Sequence, residues 1–173
     1  MNRVSDVTVR DATLEDASRL AQIYDYYVRE TIITFEIDPV PVEVMGARVA
    51  RVQRSGLPWL VIEAHGVIQG FAYAAPFRDR AAYDRTVETT VYLADNAIRS
   101  GLGTTIYQAL LERIVGTGLH AAIAVIALPN QASVAVHERL GFTHAGTLTE
   151  VGHKFDQWID VGYWQRSLEG GST

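Results

Sequence analysis

Three short stretches of this chain carry residue types at spacings that suit chemistry. The first is Arg99-Ser100-Gly101-Leu102-Gly103-Thr104. Two glycines there let the backbone turn sharply, so that successive N–H groups and a helix N-terminus face one anion. A pyrophosphate is the natural guest, and an ordinary strand–helix turn is the plain alternative. No lysine supplies a P-loop, and no third glycine completes a dinucleotide fingerprint. The second stretch runs from Asn130 to His137. On a helix, Asn130, Val134 and His137 share one stripe, so an amide and an imidazole face the same way. A capping asparagine and a surface histidine are the ordinary alternatives. His137-Glu138 has Gly141 where a second histidine would stand, so no metal site is expected. The third is Glu88 in TVETTVYL, a carboxylate in a strand-forming run. On an outer face it is solvated; in a cleft, desolvation raises its pKa toward that of a general base.

Elements able to position these residues are legible around them. Alternation at 7–10 gives a first strand, and Thr13 with Asp16 forms a capping-box-like start for a helix carrying Leu14, Ala17, Leu20, Ala21, Tyr24 and Val28. Residues 31–38 break the pattern before Pro39 and Pro41, and a second helix spans 42–54. Segments 59–64 and 67–74 read as a hairpin turned at His65-Gly66, followed by a strand at 86–93. Residues 101–115 are helical, 121–128 form an apolar strand of the kind buried on both faces, and 130–140 form a short helix. Strands at 143–148 and 158–164 close the chain. The expected architecture is α/β, a mixed central sheet with helices on both faces.

Composition supports one such domain. The chain has 173 residues, 48% apolar and 20% charged, which is enough to bury a core. A single domain over 1–168 with a flexible tail at 169–173 is expected. The net charge of −5 argues against nucleic acid as a partner. There is no cysteine, which excludes disulfides, thiolate metal sites and a cysteine nucleophile. No apolar run approaches the ~20 residues needed to span a bilayer, and residues 1–11 show no secretory h-region. No membrane association and a cytoplasmic location are the expectation. Lys154 is the only lysine, against fourteen arginines, and reads as composition bias.

Taken together, the strings TVETTVYL, RSGLGTTIYQALLE, AVIALPNQASVAVHERLGF and HKFDQWIDVGYWQ resemble the GNAT N-acetyltransferases, and among them the phosphinothricin or methionine sulfoximine acetyltransferase group. TIITFEIDP and PWLVIE follow in the same order, so the resemblance covers nearly the whole chain. It implies a sheet splayed between its fourth and fifth strands, with acetyl-CoA as co-substrate in the opening and no metal. Carried over by position, backbone groups of Val91, Tyr92 and Leu93 hold the acetyl and pantetheine portion. Arg99, Ser100, Gly101, Leu102, Gly103 and Thr104 hold the pyrophosphate, and Asn130 and Ser133 contact the pantetheine arm. The superfamily usually has glutamine or arginine where this chain has Ile98.

The same resemblance makes Glu88 the general base and places His137 near the sulfur. There His137 is the expected donor to the leaving thiolate, with Tyr107 second; His137 as the base is the alternative. Donors near Tyr92 or Leu93 would stabilise the oxyanion. The expected acceptor is a small-molecule amine, an α-amino acid held by Arg78 or Arg80, with Phe35, Tyr73 and Tyr83 walling its pocket and Thr90 nearby. Glu36 stands where phosphinothricin-resistance enzymes carry a basic residue. Its charge is expected to repel an anionic head group and to favour methionine sulfoximine over phosphinothricin. A peptide N-terminal acetyltransferase and a non-catalytic acetyl-CoA sensor are the competing readings. A homodimer is expected; the aromatic C-terminal strand with Trp158, Ile159, Val161, Tyr163 and Trp164 either completes its interface or packs in the core.

Overall fold

A computed structural model describes residues 6–168; the tail expected at 169–173 lies outside them. Strands β1 (Val7–Asp11), β2 (Trp59–Ala64), β3 (Val67–Pro76), β4 (Thr86–Leu93), β5 (Ala121–Leu128), β6 (Thr143–Lys154) and β7 (Gln157–Ser167) alternate with helices α1 (Ala17–Glu30), α2 (Val42–Arg54), α3 (Leu102–Ile114) and α4 (Gln131–Arg139). The start signal at Thr13 is real. Its N–H donates to the Asp16 carboxylate at 2.8 Å, and the Asp16 N–H donates back to the Thr13 carbonyl at 3.1 Å. That reciprocal pair closes a single 3-10 turn, Leu14–Asp16, from which α1 continues.

The sheet runs β1-β2-β3-β4-β5-β7-β6, and only β4 and β5 are parallel neighbours. Side-chain alternation sorts the strands between two cores. Trp59, Val61 and Phe71 face α1 and α2, while Leu60, Ile62, Ala72 and Val87 face α3. Burying each large apolar side chain is worth about 1.5–3 kcal/mol, so a one-residue slip, which exchanges the faces, is strongly disfavoured. β4 and β5 pair only at Thr86↔Ala121, Val87↔Ala122 and Glu88↔Ile123; beyond Glu88 they part. Val125 is exposed because its strand no longer has β4 beside it, which corrects the expectation of a strand buried throughout.

Two strands are longer than their patterns imply. β6 continues past 148 to Lys154 through an irregularity between Leu148 and Gly152, where Glu150 has φ +53°. This break interrupts the alternation that would reveal the strand. In β7, Ile159, Val161 and Trp164 are core residues, the second of the two readings of this strand, while Trp158 is 66% exposed. Among the described residues, no helix is long and apolar enough to cross a membrane.

Candidate active site

The parting of β4 from β5 opens a cleft through the sheet. Its outer part has a volume of about 390 Å³ and is lined by Tyr27, Ile33, Val91, Leu93, Ile98, Arg99, Gly101, Gly103, Thr104, Asn130, Ser133 and His137. A narrower inner part is walled by Thr89, Thr90, Val91, Tyr92, Val125, Asn130, Ser133 and His137. At one end, α3 begins on Gly101, whose φ of +87° is open to glycine but strained for other residues. The Leu102 N–H donates to the Ser100 hydroxyl at 3.4 Å, while the N–H groups of Gly103 and Thr104 belong to the first turn of α3 and have no acceptor within the helix. With the helix dipole behind them they suit an anionic ligand end. Ile98 lines this end with an apolar side chain, and Arg99 supplies a positive one. Ser100 turns inward, its hydroxyl donating to the Ala97 carbonyl.

Along the β4 edge, fewer backbone groups are free than expected. The Tyr27 hydroxyl donates to the Leu93 carbonyl at 2.6 Å and accepts from the Leu93 N–H at 3.2 Å. Leu93 is therefore satisfied by a side chain and has no backbone group to offer a ligand; only its side chain lines the cleft. Backbone directions alternate along an antiparallel strand, so Tyr92, opposite Phe71, turns its N–H and C=O to β3. The Ala94 N–H, which donates to Gln69 at 2.7 Å, fits the same alternation. Val91 and Leu93 both turn their backbones toward the opening, but Leu93 is taken by the Tyr27 hydroxyl, so of the three only Val91 has backbone groups facing the cleft without a side-chain partner. This narrows the expectation for Tyr92 and Leu93 both as ligand holders and as oxyanion donors.

Glu88 and His137 approach from opposite faces of β4. Glu88, Thr90 and Tyr92 lie on the α1/α2 face, where Tyr92 packs edge-on against Tyr24 and Tyr27. Burial pushes the Glu88 carboxyl above the ordinary range, and the Arg78 guanidinium partly offsets this. Glu88 lines neither part of the cleft. Thr90, two residues on and about 7 Å along the strand, lines the inner part.

His137 is 4% exposed on the α3/α4 face, edge-on to Tyr107 and Phe142. Its Nδ1 lies 2.7 Å from the Ser133 carbonyl, which can only accept, so Nδ1 carries the proton. Burial holds the imidazole pKa below its usual value, with the Ser133 bond acting weakly the other way. The ring is neutral, and its Nε2 carries a lone pair rather than a proton. That is an acceptor, not the donor expected for a leaving thiolate. Tyr107 is fully buried behind His137, shares a 2.7 Å hydrogen bond with Thr89 and lines no part of the cleft. Its expected second role is not supported. Asn130 caps α4, its side chain accepting from the Ser133 N–H at 3.1 Å, while also lining the cleft; the capping and cleft readings both hold.

The residues expected around an acceptor divide into two groups. Tyr73 faces Thr90 across β3 and β4 and stacks on Trp59 at 4.1 Å. Arg78 is close enough to act on Glu88. Glu36 is held by Arg48 through two charge-assisted hydrogen bonds, one of 2.8 Å, which keep its carboxyl below the usual range. Its charge is matched, so the expected repulsion of an anionic head group loses its basis. Phe35 packs on Gly152, at a distance a Cβ would not tolerate. Tyr83 instead packs on Phe77 in an exposed 3-10 turn following Arg80; of the residues expected around an acceptor, only Thr90 lines the cleft itself.

Four residues escaped the sequence reading. Tyr27 is absent from the apolar stripe read for the first helix, Ile33 reads as loop and Lys154 as composition bias; Arg48 lies twelve positions from Glu36, beyond any local pairing rule. The chain matches the family model for an acetyltransferase (GNAT) domain over residues 9–162. It is 42% identical to phosphinothricin N-acetyltransferase of Streptomyces viridochromogenes over 94% of this chain and 88% of that one. It is 35% identical to the L-methionine sulfoximine/L-methionine sulfone acetyltransferase of Pseudomonas paraeruginosa, over 94% and 95%. A crystal structure of a GNAT superfamily phosphinothricin acetyltransferase from Sinorhizobium meliloti in complex with acetyl-CoA superposes with a TM-score of 0.92 at 33% identity, covering 96% of this chain and 90% of that one.

Proposed function

Because the chain belongs to the GNAT acetyltransferase family, we propose that it acetylates the α-amine of a small amino-acid-like acceptor of the phosphinothricin, methionine sulfoximine or methionine sulfone type. One observation supports this reading above others. Pairing of β4 with β5 ends at Glu88↔Ile123, so a desolvated carboxylate stands where a cleft begins whose far end is a helix N-terminus. A ligand with an anionic end and an extended arm fits that cleft. Bound there, acetyl-CoA supplies a thioester.

This chain's own groups then have distinct tasks. First-turn N–H groups of α3 hold the pyrophosphate, and Val91 offers its backbone to the arm. Glu88, through a water, takes the proton that frees the acceptor nitrogen's lone pair. The new C–N bond forms as the C–S bond breaks, and the sulfur leaves as thiolate. The acylated nitrogen still carries one proton too many; neutral His137 accepts it on Nε2 as the amide forms and then gives it to the thiolate, so it serves as acceptor before donor. Arg78 draws the acceptor carboxylate toward Glu88's side of β4. The protein acts in the cytoplasm, and a homodimer would form through the exposed Leu148, Val151, Phe155 and Trp158 of the β6/β7 hairpin.

The test is acetyl-CoA-dependent thiol release with free amino acids, their sulfoximine, sulfone and phosphinate analogues, and N-terminal peptides. Turnover with the analogues is expected, together with a melting shift of about 2.7 kcal/mol equivalent at one hundred times the acetyl-CoA Kd. Turnover with peptides alone would move the acceptor class. Acetyl-CoA binding without any turnover would make the chain a sensor.

A further inference from the structure

The loop 31–36 decides how the opening is roofed. Ile33 lines both parts of the cleft, Phe35 lies on Gly152, and Glu36 is bound by Arg48. A loop of this length, between α1 and a proline-bounded segment, has many conformations to lose. Its position is therefore set by what grips it.

Lys154, the last residue of β6, grips the loop at Thr34, whose hydroxyl also shares a hydrogen bond with the Tyr24 hydroxyl, while Arg48 holds Glu36. It is 4% exposed, and its Nζ donates to the Thr34 carbonyl at 2.8 Å and to the Tyr27 carbonyl at 3.3 Å. The Tyr27 carbonyl belongs to the last turn of α1, where carbonyls lack helical partners and the dipole favours a cation. Tyr27 is also the residue whose hydroxyl occupies Leu93 at the cleft edge. One ammonium thus ties the end of α1 to the loop, while the same tyrosine ties α1 to β4. The platform holding Lys154 is firm. Phe155 and Asp156, both at positive φ (52° and 56°), turn β6 directly into β7, and the Phe155 ring lies 5.0 Å from Nζ.

We propose that Lys154 is a positioning residue for the acceptor side of the site: it fixes Thr34, and through it Ile33, Phe35 and Glu36, in the arrangement that receives the amine. This rests on the acceptor reading above. Two carbonyls meeting a buried ammonium form a directed contact that no apolar side chain reproduces. Its loss releases the Thr34 carbonyl and loosens the loop between its remaining holds at Tyr24 and Arg48, without touching the first turn of α3.

The experiment compares the parent with Lys154→Arg, Lys154→Gln and Lys154→Met. Acceptor KM, kcat, acetyl-CoA Kd by calorimetry, melting temperature and amide hydrogen exchange over 31–36 are measured for each. Loss of acceptor positioning should lower kcat/KM for the acceptor by about ten- to a hundredfold in Lys154→Met, mostly through KM. Acetyl-CoA Kd should stay within about threefold, a small fraction of that effect. Exchange over 31–36 should rise. Lys154→Arg should recover part of the loss, and Lys154→Gln should fall between; if Lys154→Met does not fold, Lys154→Gln carries the comparison. Unchanged acceptor KM despite a lower melting temperature would overturn the proposal, as would a parallel weakening of acetyl-CoA binding. If the parent acetylates no amino acid, the acceptor reading fails, while exchange over 31–36 still tests the grip on the loop.

Discussion

Replacing Glu88 with glutamine tests the proposed chemistry most directly, because the structure separates its effects on rate, binding and stability. The amide keeps the shape and removes the base. Loss of a general base typically costs about 10²–10⁴ in rate, or about 3–5 kcal/mol of barrier at 1.36 kcal/mol per decade. Acetyl-CoA affinity should barely change, since Glu88 lines neither part of the cleft. The parent pH–rate profile should rise through a limb lying alkaline of an ordinary glutamate, because burial raises the Glu88 pKa. Arg78 opposes that shift, so Arg78→Ala should move the limb further alkaline. For stability, a carboxyl with a raised pKa in the fold contributes fully below its unfolded pKa. That contribution is lost as pH rises through the folded value. Glu88→Gln removes the loss, so at neutral pH the variant should melt no lower than the parent. Stopped-time thiol release across pH and a thermal melt read all of this. Full turnover in Glu88→Gln with the limb intact would refute the assignment and transfer the base role to His137, whose Nε2 is free to accept.

Other substitutions probe the remaining parts. A Cβ on Gly101 meets nothing within 4 Å, so Gly101→Val should act through its φ of +87°; a melting loss equivalent to about 1–2 kcal/mol and weaker acetyl-CoA binding are expected by calorimetry. Gly152→Ala places a Cβ into the Phe35 ring, so acceptor KM should rise while acetyl-CoA Kd holds. Arg48→Met strips Glu36 of its partner. Like charge then opposes an anionic head group, and kcat/KM for phosphinothricin should fall more than for methionine sulfoximine; equal losses would show that neither side chain senses the head group.

Much of this fold is carried by local signals that the structure repeats. Strands at 59–64, 86–93 and 121–128 and the helix at 42–54 begin and end where periodicity, prolines and turn residues place them. What escaped has a common physical cause. The extension of β6 is hidden by Glu150, whose left-handed backbone breaks the period of two. The availability of the β4 edge turns on Tyr27, sixty-six positions from Leu93, and the apolar stripe of its helix does not single it out. Lys154 lies 120 residues from Thr34. Such contacts are made by topology, and no window along the chain contains both partners.

The same distinction explains how the cleft persists. Ending a parallel pair after three residues exposes two strand edges that would ordinarily demand hydrogen-bond partners. Here the Ile123 carbonyl and both backbone groups of Leu93 are met by side chains. At the closed end, Thr89 donates across the gap to the Ile123 carbonyl at 3.4 Å and shares a closer bond with Tyr107. At the open end, Tyr27 satisfies both backbone groups of Leu93. Between them the Val91 backbone is left facing the cleft, with His137 on one side of the strand and Glu88 on the other. Side chains from α1 and α3 thus hold the two ends of an interrupted β-sheet pairing, so that a ligand arm can complete the middle as a strand would. The first-turn N–H groups of α3 face the same opening, and Lys154 sets the loop above it. The chemistry this implies needs no movement of the sheet, only an arm whose length spans from the α3 N-terminus to Val91.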